Sequence, residues 1–255
     1  MKRCSPMTSS CCKHNAAGGS LLPFAVREII VYTPEFENGF IYPFIKRLEA
    51  LRGVKGRRVI ALLAAPPAAG KSTLAAHIQK VSGGSIQALP MDGFHLKQEY
   101  LMNHTVIRDG VQISLTEIKG APETFDAEGL LERVKRLSEG ENIGFPVYDR
   151  NIHDTMDDAL SVTSGIILIE GNYLLLDRPV WREIRKHADI TLFIRVRPED
   201  MLDRLIQRKL NAGRSFEYAR NFALNSDIKN AYIVLNESAP ADIEIREDAD
   251  GIMRF

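Results

Sequence analysis

Residues 58–81 constrain this chain more than any other stretch. Arg58–Ala65 is a nearly unbroken apolar run, the pattern of a strand buried on both faces in a parallel sheet. It leads into Ala65-Pro66-Pro67-Ala68-Ala69-Gly70-Lys71-Ser72-Thr73, and Thr73–Val81 then reads as a helix. Apart from its first position, the loop matches the phosphate-cradling pattern G-x-x-x-x-G-K-[ST]. In such a loop the backbone N–H groups wrap phosphates at a helix N-terminus, where the peptide dipoles favour an anion. Gly70 lets the backbone close in, Lys71 reaches the β and γ oxygens of a nucleoside triphosphate, and Ser72 ligates Mg²⁺. Alanine stands at position 65, where the pattern has glycine, and at 68, where glycine is frequent. If either position needs a positive φ, alanine there carries about 1 kcal/mol of strain. The competing reading is a strand–helix turn that holds GKST by chance; strand, loop and helix falling in register speak against it.

The same alternation continues along the chain. Strands are predicted at Phe24–Thr33, Ser85–Pro90, Gly165–Glu170, Ile190–Val196 and Asp242–Arg246. Helices are predicted at Tyr42–Leu51, Ala127–Glu139, Pro179–Lys186 and Pro198–Ala212, with a basic turn at Gly53–Arg58. Strands alternating with helices predict an α/β fold, a doubly wound parallel sheet in a three-layer α/β/α arrangement. We expect one domain over 23–255, preceded by a tail, 1–22, without structure. The Gly- and Pro-rich 120s to 150s read as an insertion over the active face.

Composition narrows the partners. Lys plus Arg and Asp plus Glu number 33 each, so no global field favours nucleic acid or an anionic membrane. No apolar run approaches the roughly 20 residues that span a bilayer. The three cysteines, Cys4, Cys11 and Cys12, all fall in the first dozen residues. That excludes a disulfide-built core and fits a reducing compartment, which predicts a cytoplasmic protein. Cys11, Cys12 and His14 lack the spacing of a zinc site. The first 27 residues are basic and lack acids, like a targeting segment, but show no clear amphipathic period.

Two further segments carry chemistry. Gly165–Asn172 (GIILIEGN) is an apolar strand ending in an acid; Glu170 is thereby placed at a strand end, able to hold Mg²⁺ or its waters. The alternative is an ordinary capping residue. Leu89–His95 (LPMDGFH) follows the second predicted strand. Transfer of a phosphoryl group to an alcohol needs a carboxylate that orients the hydroxyl and takes its proton, and Asp92 suits that role. An Asp-Gly turn is the competing reading. His95 either contacts substrate or packs.

Together these three elements resemble the pantothenate kinase, uridine kinase and phosphoribulokinase group of P-loop kinases, over roughly residues 55–250. Lys119–Asp126 (KGAPETFD) looks like a segment of type I pantothenate kinases, and Tyr148-Asp149 with His153 is similar to the substrate loop of uridine kinases. Asp92 falls on the group's "DGF" aspartate and Glu170 on its "EG" acid. The likeness is strongest to a bacterial nucleoside/nucleotide kinase-like branch, also labelled fructose-transport-system kinase. Its members share PMDGFH, KGAPETFD, YDR…HD and EGN-[YW]-LLLD. Where uridine kinases carry an arginine two residues after the histidine, this chain has Thr155, and its loop is shorter than that of pantothenate kinases.

The resemblance implies ATP and Mg²⁺ as cofactors, a small-molecule hydroxyl acceptor, a dimer, and a helical lid around 199–216. Arg208, then Arg204, would clamp the transferring phosphoryl group, with Arg214 a weaker candidate. They sit on an amphipathic helix, where a solvated basic face is the plain alternative; Arg204 and Arg208, four apart, share a face. The acceptor pocket would be built from Asp92, Phe94, His95, Lys119, Tyr148, Arg150 and His153. Arg150 either pairs with an anionic acceptor or with Asp149, Asp154 or Asp157. The expected activity is ATP-dependent phosphorylation of a sugar, a nucleoside or a pantothenate-like alcohol. A nucleotide-binding or hydrolysing regulatory module without a second substrate is the rival, and a degenerate binding protein is a third class. A second pocket beside Asp92 distinguishes the first from the others.

Overall fold

The structure, a computed structural model, describes residues 32–108, 110–248 and 252–255. The expected tail 1–22, the three cysteines and most of the strand expected over Phe24–Thr33 lie outside the described residues. At its end Thr33 is the cap of a helical turn, its hydroxyl accepting from the Phe36 N–H. This turn passes through a π-helical stretch into α1 (Tyr42–Lys55). The basic turn expected at Gly53–Arg58 is therefore mostly the last turn of α1. Gly56, at φ 62°, ends it with its N–H on the Arg52 carbonyl.

There follow β1 (Val59–Ala64), α2 (Lys71–Val81), β2 (Ile86–Pro90), a 3₁₀ turn (Met91–Phe94) and α3 (Gln98–Asn103). A hairpin of β3 (Thr105–Arg108) and β4 (Val111–Ser114) leads to α4 (Ala127–Ser138). A second hairpin pairs β5 (Ile143–Asp149) with β6 (Asp154–Val162). The chain closes with β7 (Ile166–Gly171), α5 (Pro179–Arg185), β8 (Ile190–Arg195), α6 (Pro198–Asn211), α7 (Phe216–Phe222), α8 (Ile228–Glu237), β9 (Ile243–Glu247) and β10 (Met253–Arg254).

The main sheet runs β10-β9-β8-β1-β7-β2, parallel except for the antiparallel edge strand β10. β1 and β7 are buried at every position, as central parallel strands covered on both faces must be. Alternate residues of β1 face opposite layers. Val59, Ala61 and Leu63 pack with Leu48 of α1, Leu74 and Ile78 of α2, and Met201 and Leu205 of α6. Ile60 and Leu62 pack with Leu130, Val134 and Leu137 of α4, and Trp181 and Ile184 of α5. The predicted doubly wound, three-layer architecture is thus present. The 120s to 150s are only partly an overlay: α4 belongs to the core, and the two hairpins stand apart from the main sheet.

Candidate active site

Sheet order builds the site. β7 lies between β1 and β2, with Glu170 in register with Leu63 on one side and Pro90 on the other. Three strand ends therefore meet: the loop to α2 after β1, Glu170 at the end of β7, and the turn bearing Asp92 after β2. Two glycines allow the close fit. A Cβ on Gly171 would lie 2.4 Å from Met91 Cβ, and one on Gly93 would lie 2.0 Å from the Pro146 carbonyl oxygen.

In the phosphate loop Ala65, Pro66, Pro67 and Ala69 are buried and Thr73 is exposed on α2. Of the two alanines in question, Ala68 takes φ 62° and Ala65 does not. The loop therefore holds strain of about 1 kcal/mol at Ala68, where a glycine would have none. Gly70, at φ 82°, precedes the first residue of α2, the buried Lys71.

Lys71 Nζ lies 3.8 Å from Glu170 Oε2, and Ser72 Oγ donates to Glu170 Oε1 at 2.7 Å. Burial holds the Glu170 carboxyl above its ordinary value, helped by Asp92, although Lys71, the Ser72 hydrogen bond and Arg150 pull the other way. Burial alone would raise Asp92 too, but the charges of Lys71, His95, Arg208 and Arg150 outweigh it and hold the carboxyl below its ordinary value.

His95 stacks on Phe125 with centroids 3.9 Å apart and meets the edge of Tyr148 at 5.3 Å. Burial lowers its pKa, and Lys119 and Arg208 add to this against the opposing pull of Asp92. Lys119 Nζ sits 5.1 Å from the Tyr148 ring centre and donates to Gln98 Oε1 (2.7 Å) and the His153 carbonyl (3.3 Å). The KGAPETFD segment supports this wall: the Thr124 carbonyl accepts from the Leu96 N–H (2.9 Å), and the Gly120 carbonyl accepts from the Tyr173 hydroxyl (2.6 Å). His153, at φ 55°, lies with Arg150 in the turn between β5 and β6.

Asp92, Lys71, Ser72 and Glu170 are thus brought together, with His95, Lys119 and Tyr148 forming an adjoining wall. Two expected members are not brought there. Phe94, two residues along the 3₁₀ turn from Asp92, is 5% exposed and packs edge-on against Phe145 in the core. Arg204 is taken by Glu247 of β9 in a two-pronged ion pair, one prong at 2.7 Å. Arg208, four residues on, is exposed, and its charge reaches Asp92 and His95. Arg214 lies 5.7 Å over the Tyr218 ring. The Thr155 carbonyl accepts from Lys97 Nζ at 2.7 Å. Gln98, Phe125 and Tyr173 were missed as supporting residues, although the latter two stand inside the KGAPETFD and EGNY segments.

The donor set fits a magnesium nucleotide. Ser72 and Glu170 offer hard oxygens beside a lysine and a helix N-terminus. Among the described residues no group of three or more His, Cys, Asp or Glu could hold a metal.

Residues 59–233 match the profile of the Phosphoribulokinase / Uridine kinase family. The chain belongs to this family. It is 36% identical over 219 residues to the Escherichia coli (strain K12) protein YggC, named as uncharacterized, covering 84% of this chain and 88% of that one. It is 28% identical over 158 residues to a uridine kinase of Clostridium perfringens, covering 61% and 71%. Among solved structures, a "putative fructose transport system kinase" of Silicibacter sp. TM1040 aligns with a TM-score of 0.71 at 31% identity, covering 80% of this chain and 98% of that one. The protein is accordingly a P-loop small-molecule kinase, and its family implies ATP-dependent phosphotransfer. No helix among the described residues is long and apolar enough to cross a membrane.

Proposed function

We propose that the protein transfers the γ-phosphoryl group of Mg-ATP to a hydroxyl of a small metabolite (a sugar, a nucleoside or a pantothenate-like alcohol) with Asp92 as the base. The observation that carries this reading is Asp92 itself, kept ionised by Lys71, His95, Arg208 and Arg150 in spite of its burial. An ionised carboxylate can accept a hydrogen bond from the acceptor hydroxyl and take its proton as the new O–P bond forms. Lys71 would draw the β and γ oxygens, and Arg208 would offset the charge that spreads over the transferring group. Ser72 and Glu170 would hold Mg²⁺, which when bound neutralises phosphate charge. His95, Lys119 and Tyr148 form the wall against which an acceptor would lie, a feature that a nucleotide switch has no use for.

The test is ADP release from Mg-ATP across a panel of sugars, nucleosides, pantothenate and their phosphates, beside Asp92→Asn. We expect acceptor-dependent release that falls about 10³-fold in the variant, within the range for loss of a general base, while Mg-ATP affinity holds. Release at one slow rate with every acceptor, equal in parent and variant, would replace the kinase by a nucleotide-hydrolysing module.

A further inference from the structure

The β5–β6 turn carries an exposed cation, Arg150, that pairs with no described residue. Three acids lie close to Arg150 in sequence, and each is engaged elsewhere. Asp149 Oδ1 accepts the Asn151 N–H at 2.7 Å. Asp154 Oδ1 accepts the N–H groups of Thr155 (2.8 Å) and Gln98 (3.4 Å). Asp157 pairs with Lys97 at 3.2 Å. The next acid, Asp158, is paired with Arg133 at 2.9 Å. Arg150 is left with no hydrogen bond or ion pair to any described residue, yet its charge reaches both Asp92 and Glu170. Lys119 is also uncompensated: its partners are an amide oxygen, a backbone carbonyl and the Tyr148 ring, none of which carries a charge.

The turn that presents Arg150 is held in place. Lys119 donates to the His153 carbonyl, and His153 keeps a left-handed φ of 55° that costs a non-glycine residue about 1 kcal/mol or more. An exposed guanidinium on a braced turn, with Lys119 tied to the same turn, extends its charge to the pocket that holds Asp92 and Glu170. A neutral acceptor would cover these charges without returning the hydration they lose. An anionic acceptor would replace it with charge-assisted hydrogen bonds, for which the planar guanidinium is suited.

We infer that Arg150, with Lys119 beside it, recognises an anionic group, carboxylate or phosphate, on the same small molecule that presents its hydroxyl to Asp92. This rests on the kinase reading above and narrows its acceptor to hydroxy acids or phosphorylated polyols. The reaction balances without a further reagent. The acceptor oxygen bonds to the γ-phosphorus, the bond from that phosphorus to the bridging oxygen breaks, Asp92 takes the hydroxyl proton, and ADP leaves.

Matched acceptors test this: a neutral sugar, its phosphate monoester and its sugar acid, with a nucleoside and its monophosphate, each assayed for ADP release with Mg-ATP by parent, Arg150→Gln and Lys119→Gln. The expected result is a kcat/KM for one anionic member about a hundredfold above its neutral counterpart, a preference that Arg150→Gln removes mainly through KM, in keeping with loss of a charge-assisted pair. Whether the ester or the acid is preferred separates phosphate from carboxylate. Unchanged unfolding midpoint and Mg-ATP affinity in the variants keep the comparison clean. Neutral members used as well as anionic ones would overturn the proposal and leave the kinase standing. So would an Arg150→Gln loss equal for both in kcat, which would put Arg150 on the transferring phosphoryl group instead. Release independent of every acceptor would overturn the kinase reading itself.

Discussion

Gly93→Ala is the sharpest test of how the site is held. A Cβ on Gly93 would lie 2.0 Å from Pro146 O, 2.3 Å from Pro146 C and 2.8 Å from Val147 N. All three are backbone atoms, so no side chain can swing away. Real contacts stay above 3.0 Å, and moving from 2.0 to 3.0 Å requires about 1 Å of displacement, a length well beyond thermal adjustment of a packed interior. Neither partner yields easily. Phe145 and Met91, flanking the contact, are fully buried, and Pro146 sits where the β5–β6 register shifts. Overpacking of this kind costs about 1–3 kcal/mol, and a backbone clash falls at the upper end. Because Gly93 adjoins Asp92, the same displacement moves the proposed base, and a misplacement of ~1 Å lowers turnover about 10²-fold. Lys71 and Ser72 stand on a different element, so Mg-ATP affinity should hold. The control is Gly53→Ala, at an exposed position of α1 with nothing within 4 Å, which should be neutral or stabilising by up to about 1 kcal/mol. Urea unfolding of both variants, with ADP-release assays, reads the outcome. A Gly93→Ala protein that unfolds at the parental midpoint would refute the packing argument.

Two further outcomes follow from the loop and the wall. Ala68→Gly should relieve the left-handed strain and leave stability unchanged or raised by up to about 1 kcal/mol, whereas Ala65→Gly, buried and without a positive φ, should lose about 1 kcal/mol; denaturant midpoints of the pair decide it. His95, whose pKa is lowered by burial from 6.5, binds its proton less readily folded than unfolded. Its contribution to stability is therefore complete above about pH 6.5 and is lost as pH falls toward its folded pKa, so the parent should lose stability from pH 7 to 5 more steeply than His95→Gln.

Local pattern made much of the fold legible. β1 and β7 announce themselves as unbroken apolar runs, and α2 follows from the loop that starts it. Sheet order does not follow from such runs: β7 enters between β1 and β2 although a long stretch of chain separates it from both, and that insertion is what places Glu170 between Leu63 and Pro90. The β3–β4 hairpin was not foreseen, and β5–β6 lies mostly in the stretch read as an insertion; both are short antiparallel pairs apart from the main sheet. Sequence neighbours of residues that the structure gathers at the candidate site misled in two places. Phe94 was expected in the acceptor pocket with Asp92, but a 3₁₀ turn sends residues two apart to different sides. Arg204 was grouped with Arg208 by the i, i+4 rule, which places them on one helix face and says nothing of Glu247 on β9, whose carboxylate claims the first. Gly93 figured only in the competing Asp-Gly turn reading, and its need is the close approach of the Pro146 carbonyl, a contact with a strand over fifty positions away that sequence spacing does not reveal.

Asp92 and Glu170 share one pocket but not one electrostatic environment. Burial raises both, and the difference lies in what surrounds each. Asp92 meets Lys71, His95, Arg208 and Arg150 and falls below its ordinary value. Glu170 receives help from Lys71, Ser72 and Arg150 but faces the negative charge of Asp92, and stays above it. The two environments thus push neighbouring carboxyls in opposite directions. Asp92 is thereby ionised before any ligand arrives, as a proton acceptor needs to be. Glu170 is the acid whose charge is least well compensated, and a divalent cation at Ser72 would supply the missing compensation. Such a cation would also relieve the repulsion that Asp92 exerts on Glu170. An acceptor anion held by Arg150 extends the same balance, since it would engage a cation that now acts on both acids.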